Sequence, residues 1–237
     1  MINKHYDKKY FIKRDILDER IAKTLLIFAK ENNINNVLEV GCGTGRLVKY
    51  LNDHKLNTKG CDISPEGLKI ANKINKNINI IKASATFLPF KRASFDMVIS
   101  ISTIEHLTKR ESVRFILQAK KVLKPNGFIF LITPNFNSPM RYLLGKRWFG
   151  YSDPTHITFF IPNSLRKLLN SCGFDNIKFR FKSAYNLKFD YHIPGFLRRS
   201  PNPIKNLLNY LMISSYLSTF RDSFWISGQN TVYKQKH

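Results

Sequence analysis

The chain is 237 residues long, 43% hydrophobic and 13% aromatic, which suits a single globular domain spanning 1–237 and excludes a disordered or fibrous chain. Thirty-nine basic side chains against sixteen acidic ones leave a net charge of +23, a balance that favours nucleic acid, an anionic membrane surface or a phosphorylated substrate, or else marks a lysine-rich solvated surface. The three cysteines, Cys42, Cys61 and Cys172, form no Cys-x-x-Cys pair, which argues against a disulfide frame or a cysteine zinc site and for a reducing compartment.

Residues 12–30 place apolar side chains at helical spacing, among them Ile16, Leu17, Ile21, Leu25 and Phe28, and predict a helix that covers a sheet. The run 37–40 predicts a short buried strand, 41–45 a glycine turn and 46–54 a helix. Further strands are expected at 58–62, 78–81 and 95–100, the last nearly continuously apolar as in a central parallel strand. Ser64-Pro65-Glu66 reads as a helix start, with Ser as N-cap and Pro at the first helical position. Thr108-Lys109-Arg110-Glu111 has the capping-box spacing and opens a helix to Leu123, stopped by Pro125-Asn126-Gly127. A fifth strand is expected at 128–133, a helix at 164–171 closed by Gly173, an alternating strand at 174–181 and a last one at 231–233. This alternation predicts an α/β fold: a doubly wound parallel sheet with helices on both faces. Ligands in such sheets lie beyond the carboxyl ends of the strands, so the chemistry belongs to the segments that follow each strand.

The first of these is Glu39-Val40-Gly41-Cys42-Gly43-Thr44-Gly45. Its alternate glycines permit a sharp turn and close approach to a ligand, and the helix behind it offers unpaired N–H groups. A dinucleotide fingerprint needs a third Gly where Arg46 stands. An acid two residues ahead of the first Gly suits a ligand with a positively charged amino group better than a pyrophosphate.

Five ordered blocks resemble the class I S-adenosylmethionine-dependent methyltransferases, of the small-molecule, biosynthetic kind seen in ubiquinone-pathway and polysaccharide-modifying O-methyltransferases. They are residues 37–45, Gly60-Cys61-Asp62-Ile63-Ser64, Leu88-Pro89-Phe90, Phe95-Asp96-Met97-Val98 and residues 122–128. The resemblance covers roughly residues 36–181 and implies a mostly parallel seven-stranded sheet with an antiparallel last strand. It implies S-adenosylmethionine as cofactor, bound by Glu39, Gly41, Cys42, Gly43, Gly45, Asp62, Ile63, Ser84, Ala85 and Ser100. Asp62, at the end of the second strand, is placed to accept both ribose hydroxyls. The family often carries an Asp after strand three, where this chain has Lys82-Ala83-Ser84-Ala85, so adenine recognition rests on Ser84 and on apolar contact.

The acceptor side is read from two further segments. Ser102-Thr103-Ile104-Glu105-His106 stands where nucleic-acid amino-methyltransferases carry Asn/Asp-Pro-Pro-aromatic, which lowers nucleic acid as the substrate. Similar O-methyltransferases bind Mg²⁺ through Glu-x-x-Glu-His. Ser102 replaces the first acid here, and Glu105 with His106 alone make a poor site, so no metal is expected. The resemblance implies that residues 136–162 form a lid over the acceptor, with Arg141, Arg147 and Trp148 as expected acceptor contacts and an anionic group as the target of the two arginines. His156 is the expected general base for an acceptor hydroxyl, with Tyr151 and His106 in reserve; the competing role for His156 is a hydrogen bond that ties the lid down.

Residues 1–33 read as an N-terminal helical cover with no apolar signal-peptide core, and 182–224 as an insertion before the last strand. Within it the uncharged run 206–220 is too short to span a bilayer. Residues 196–221 cap the acceptor pocket, form a dimer contact, or lie on a membrane surface and present a lipid-linked acceptor. The expectation is a cytoplasmic enzyme, peripheral at a membrane if that segment meets lipid. It methylates a hydroxyl, less readily an amine, of a small or lipid-linked metabolite. The alternatives are an RNA-binding methyltransferase and a catalytically silent S-adenosylmethionine-binding protein.

Overall fold

The structure is a computed structural model and describes residues 10–11, 16–75, 78–179, 201, 203–204 and 223–231. Apart from residues 201, 203 and 204, the stretch 182–222, including the expected interfacial helix at 206–220, lies outside the described residues.

Seven strands form one sheet in the order β3-β2-β1-β4-β5-β7-β6. They are β1 (Asn36–Val40), β2 (Asn57–Asp62), β3 (Asn79–Lys82), β4 (Phe95–Ile101), β5 (Leu123–Pro134), β6 (Asp175–Phe179) and β7 (Ser223–Gln229). The first five pair in parallel, and β7 runs antiparallel to both β5 and β6. The expected sheet is therefore the one observed, with one correction: the last strand lies upstream of 231–233. Phe224 and Ile226 alternate into the core there, while Trp225 faces the other side among partly buried side chains.

Helices cover both faces. On one, α1 (Glu19–Glu31) and α2 (Arg46–Asp53) press Leu25, Phe28, Leu47 and Leu51 onto Met97, Ile99 and Phe130. On the other, α4 (Lys109–Val122) and α7 (Pro162–Ser171) bring Phe115, Ile116, Leu165 and Leu169 against Leu38, Val98 and Ile129. Each such fully buried side chain stabilises the fold by about 1.5–3 kcal/mol. Between them in sequence, α3 (Pro65–Ile74) starts as its sequence predicts, with Ser64 Oγ accepting from the Gly67 N–H at 3.2 Å. The capping box at Thr108 and Glu111 is present. By contrast α1 starts late, because the Asp18 side chain accepts from the Arg20 N–H at 2.9 Å and caps the helix there.

Strand order reverses between β1 and β4, so the loops after these two strands diverge and leave a crevice at the carboxyl edge of the sheet. The chain after β5 folds over that edge as α5 (Pro139–Leu144), a 3-10 turn (Gly145–Arg147) and α6 (Phe149–Ser152). Its stem is closed by the Phe136 N–H donating to the Phe160 carbonyl at 2.9 Å. Among the described residues no helix is long and apolar enough to cross a membrane.

Candidate active site

The crevice is a cavity of about 780 Å³, within the range of small-molecule sites. Its floor is the glycine loop. Gly41, Gly43 and Gly45 all adopt positive φ (79°, 51° and 70°), where a side chain is strained. A Cβ on Gly41 would sit 2.1 Å from Thr103 Oγ1, so the loop packs directly on the segment after β4. Gly43 faces the cavity, whereas Gly45 caps α2 and packs on Ile78 away from it. Ser100 also stays out of the cavity: its buried Oγ donates to the Val40 carbonyl at 2.9 Å.

Asp62 stands on the cavity wall and organises the loop. Its Oδ2 accepts from the Gly43 N–H and its Oδ1 from the Ser64 N–H, both at 2.8 Å. Burial raises its pKa, opposed by those N–H groups. Each oxygen keeps a further lone pair for a ligand hydroxyl. Ile63, Ser84 and Ala85 complete this end of the cavity, but the Ser84 hydroxyl is engaged with Thr86 Oγ1 at 2.9 Å. Cys42 also lines the wall; burial pushes its thiol well up, and the Cys61 thiol up to about 12, so neither is a nucleophile at neutral pH.

Glu39 is the informative residue of the floor. Burial, with the Asp62 carboxylate beside it, pushes its carboxyl up to about 8, and Oε2 has no hydrogen-bond partner. A buried acceptor left orphaned next to a cavity fits a cationic amino group. Asp18, Asp62 and Glu111 line the cavity with Arg46 as the cation among its described walls, and a bound cation would ionise Glu39 beside them, so the site is acidic within a basic protein. It therefore attracts a cationic ligand and repels phosphate.

This arrangement has a consequence for stability. Between about pH 4.5 and 8 the unfolded chain ionises Glu39 while the folded chain keeps it protonated, so the unliganded protein loses stability as pH rises through that window. Glu105, also pushed up to about 8 by burial, acts in the same direction. The melting temperature of the unliganded protein is expected to fall across this range, and Glu39→Gln to remove part of the fall. An equal fall in wild type and variant would contradict the assignment.

At the other end of the cavity stand Thr103, His106, Leu107, Thr155 and Ile157. Glu105 is buried behind them, accepting from Thr133 Oγ1 at 3.1 Å, and its carbonyl takes the N–H groups of Ile157 and Thr158 at 3.0 and 3.1 Å. The lid is thus stitched to the segment after β4.

The structure redistributes the expected acceptor residues. His106 lines the cavity and His156 does not. The His156 side chain is 5% exposed, and its Nδ1 donates to the Gly150 carbonyl at 2.7 Å, the lid-tying bond weighed above. Tyr151 packs on Trp148 and Phe159 rather than lining the cavity. Trp148 is fully buried, surrounded by Phe136, Phe149 and Tyr151, and does not line the cavity. The Arg141 guanidinium lies 4.1 Å from the ring centroids of both Phe136 and Tyr142, and Arg147 is exposed on its 3-10 turn; neither lines the cavity.

His156 adds a third donor to the pair read from sequence, because donor atoms of Glu105, His106 and His156 lie within 4.8 Å of one another. Bonds of about 2.1 Å to a tetrahedral ion would need donors about 3.4 Å apart. Glu105 Oε2 is bound to Thr133 and its Oε1 has no hydrogen-bond partner, so the three groups would have to close up around a metal ion to hold one.

Periodicity gave no sign of residues 10–11. Phe11 is buried between the glycine loop and α3: a Cβ on Gly43 would lie 3.5 Å from its ring and one on Gly67 2.8 Å. Tyr10 Oη donates to Asp153 Oδ2 at 3.5 Å, so this stretch touches both the donor loop and the lid.

Residues 38–131 match a methyltransferase domain family. An uncharacterized protein of Methanocaldococcus jannaschii is 40% identical over 132 residues, covering 54% of this chain and 47% of the relative. A ubiquinone/menaquinone biosynthesis C-methyltransferase of Wigglesworthia glossinidia brevipalpis is 30% identical over 158 residues, 61% of each chain. The chain therefore spans about half to three fifths of the length of these relatives. A solved SAM-dependent methyltransferase from Archaeoglobus fulgidus shares the fold with a TM-score of 0.65 at 18% identity, covering 94% of this chain and all of that one.

Proposed function

We propose that this chain, which belongs to the class I S-adenosylmethionine-dependent methyltransferases, moves the methyl group of that cofactor to a hydroxyl on a small or lipid-linked, largely apolar acceptor. The observation that carries the reading is the orphaned Glu39 Oε2 beside Asp62 and the open face of Gly43, in an acidic cavity that continues to His106. The bound cofactor supplies an electrophilic methyl on a positively charged sulfur.

The chain's residues do the rest. Glu39 receives the amino group and Asp62 the ribose hydroxyls, while the Gly43 backbone lets the ligand approach. Ile101, Leu107 and Ile157 exclude water from the path between donor and acceptor and hold the two in line, a proximity effect. His106 takes the acceptor proton as oxygen bonds to the methyl carbon and the carbon–sulfur bond breaks with its electrons going to sulfur. His106 displaces His156 in this role because it lines the cavity. The apolar wall favours a ring or chain over an anionic acceptor, and the acidic lining disfavours the RNA reading.

Calorimetry with S-adenosylhomocysteine tests the reading first: micromolar binding is expected, and its absence would sink the enzymatic reading. With methyl incorporation followed from a labelled donor into hydroxylated lipid extracts and into tRNA, label should enter the lipid fraction. His106→Ala should keep cofactor affinity within about twofold and lower turnover by about 100-fold or more, whereas His156→Ala should chiefly lower the melting temperature. Full turnover in His106→Ala would remove it from the base role.

A further inference from the structure

Behind His106 lies a buried carboxylate that the proposed reaction has not yet used. Asp153 is 3% exposed at the turn where the lid returns to the sheet. Its Oδ1 accepts from the Thr155 N–H at 2.9 Å and from Thr155 Oγ1 at 2.5 Å. The Thr155 hydroxyl proton is thereby committed to Asp153. The lone pair of the same oxygen lies 2.8 Å from His106 Nδ1, and the Thr155 carbonyl lies 3.2 Å from it. Both are acceptors toward the ring, so Nδ1 carries the hydrogen and Nε2 of the neutral ring carries the lone pair.

We propose that Asp153, acting through the Thr155 hydroxyl, is a positioning residue for His106: it fixes the tautomer that leaves Nε2 as the base and stabilises the imidazolium formed when the ring accepts the acceptor proton. This deepens the proposed function and rests on it. The proton ledger closes within the site. The acceptor oxygen loses its hydrogen to Nε2 as its bond to the methyl carbon forms, the resulting cation on the ring faces Asp153 through one hydroxyl, and Asp153 keeps its charge throughout. Among the described residues, the other ionisable groups around the ring are Glu105 on its own turn, His156 with its ring centroid 4.7 Å away and its Nε2 4.0 Å from Asp153 Oδ2, Tyr10 on Asp153 Oδ2 and Glu111 across the cavity. Glu105 is held protonated by burial and His156 is tied to Gly150, which leaves Asp153 as the anion connected to the ring by an unbroken hydrogen-bond chain.

The plain alternative is that Asp153 merely shapes an Asx turn, a role Asn fills equally well. That makes Asp153→Asn the discriminating variant, since it keeps the turn and removes the charge. The ring nitrogens of His106, labelled with nitrogen-15 and assigned by loss of signal in His106→Gln, are followed by NMR through a pH titration. The expected wild-type spectrum is that of the Nδ1–H tautomer. In Asp153→Asn the titration midpoint of His106 should fall by about one pH unit, as loss of a carboxylate one hydroxyl away implies, with the melting temperature and S-adenosylhomocysteine affinity unchanged. Thr155→Val should lower the midpoint as well and Thr155→Ser restore it, which keeps the test alive if Asp153→Asn does not fold. An Nε2–H tautomer, or a midpoint unmoved by both variants, overturns the proposal. Broadening or displacement of the His106 and His156 signals by micromolar Mn²⁺ or Zn²⁺ also overturns it, because the rings would then be ligands. Failure to bind S-adenosylhomocysteine with these ring signals intact would instead strike the proposed reaction alone.

Discussion

Asp62→Ala should weaken S-adenosylhomocysteine binding by about 100-fold or more in calorimetry, which is about 2.7 kcal/mol. Two losses combine in that number. The carboxylate is the expected partner of two ribose hydroxyls, and charge-assisted hydrogen bonds of this kind are each worth about 1.5–3 kcal/mol. It also holds the Gly43 and Ser64 N–H groups, so the glycine loop loses its brace at the point where it faces the cavity. Asp62→Asn should fall between wild type and Ala, since a carboxamide oxygen can replace one of those contacts but not both. Unchanged affinity in Asp62→Ala would mean that the ligand's sugar end is held elsewhere.

The largest effect on stability should come from Trp148→Ala, with a loss of about 3–5 kcal/mol. The indole is fully buried, in edge contact with Phe136, Phe149 and Tyr151, and a Cβ on Gly150 would come within 2.3 Å of two of its ring carbons. The chain folds closely around this ring, so truncation leaves a void in the lid. Urea or thermal unfolding measures the loss, and cofactor affinity should change little because Trp148 does not line the cavity. A variant of unchanged stability that raised the Michaelis constant for an acceptor would restore the contact role expected from sequence.

The half of the crevice expected to hold the cofactor was legible because its chemistry is written in contiguous residues. Gly41, Gly43 and Asp62 sit at strand ends that periodicity locates, and positive φ is a demand that glycine meets at the residue itself. The acceptor half depends on where a long excursion returns, which no local pattern encodes. Residues 136–162 offered a histidine, a tryptophan and two arginines with suitable chemistry, yet tertiary packing sent His156 and Trp148 inward and Arg141 onto two rings. Thr155, an unremarked neighbour, reached the cavity instead. Likewise Glu105 could be seen as an acid in a motif, but not as one whose partners come from Thr133 and the lid backbone. The last strand was misplaced because its first residues, Ser223 and Phe224, fell within the expected insertion, although Phe224 and Ile226 alternate inward.

The seat of β7 governs the order in which the sheet can assemble. Strand β6 pairs with β7, and β5 pairs with β7 on its outer side, so the chain must continue past residue 222 before either edge is satisfied. Until then the parallel half can form while the long apolar rim of β5 stays bare, an invitation to stray strands from other molecules. Completion of this sheet is therefore a non-local event that follows synthesis of the other six strands, and the seven residues of β7 cover the rim of β5.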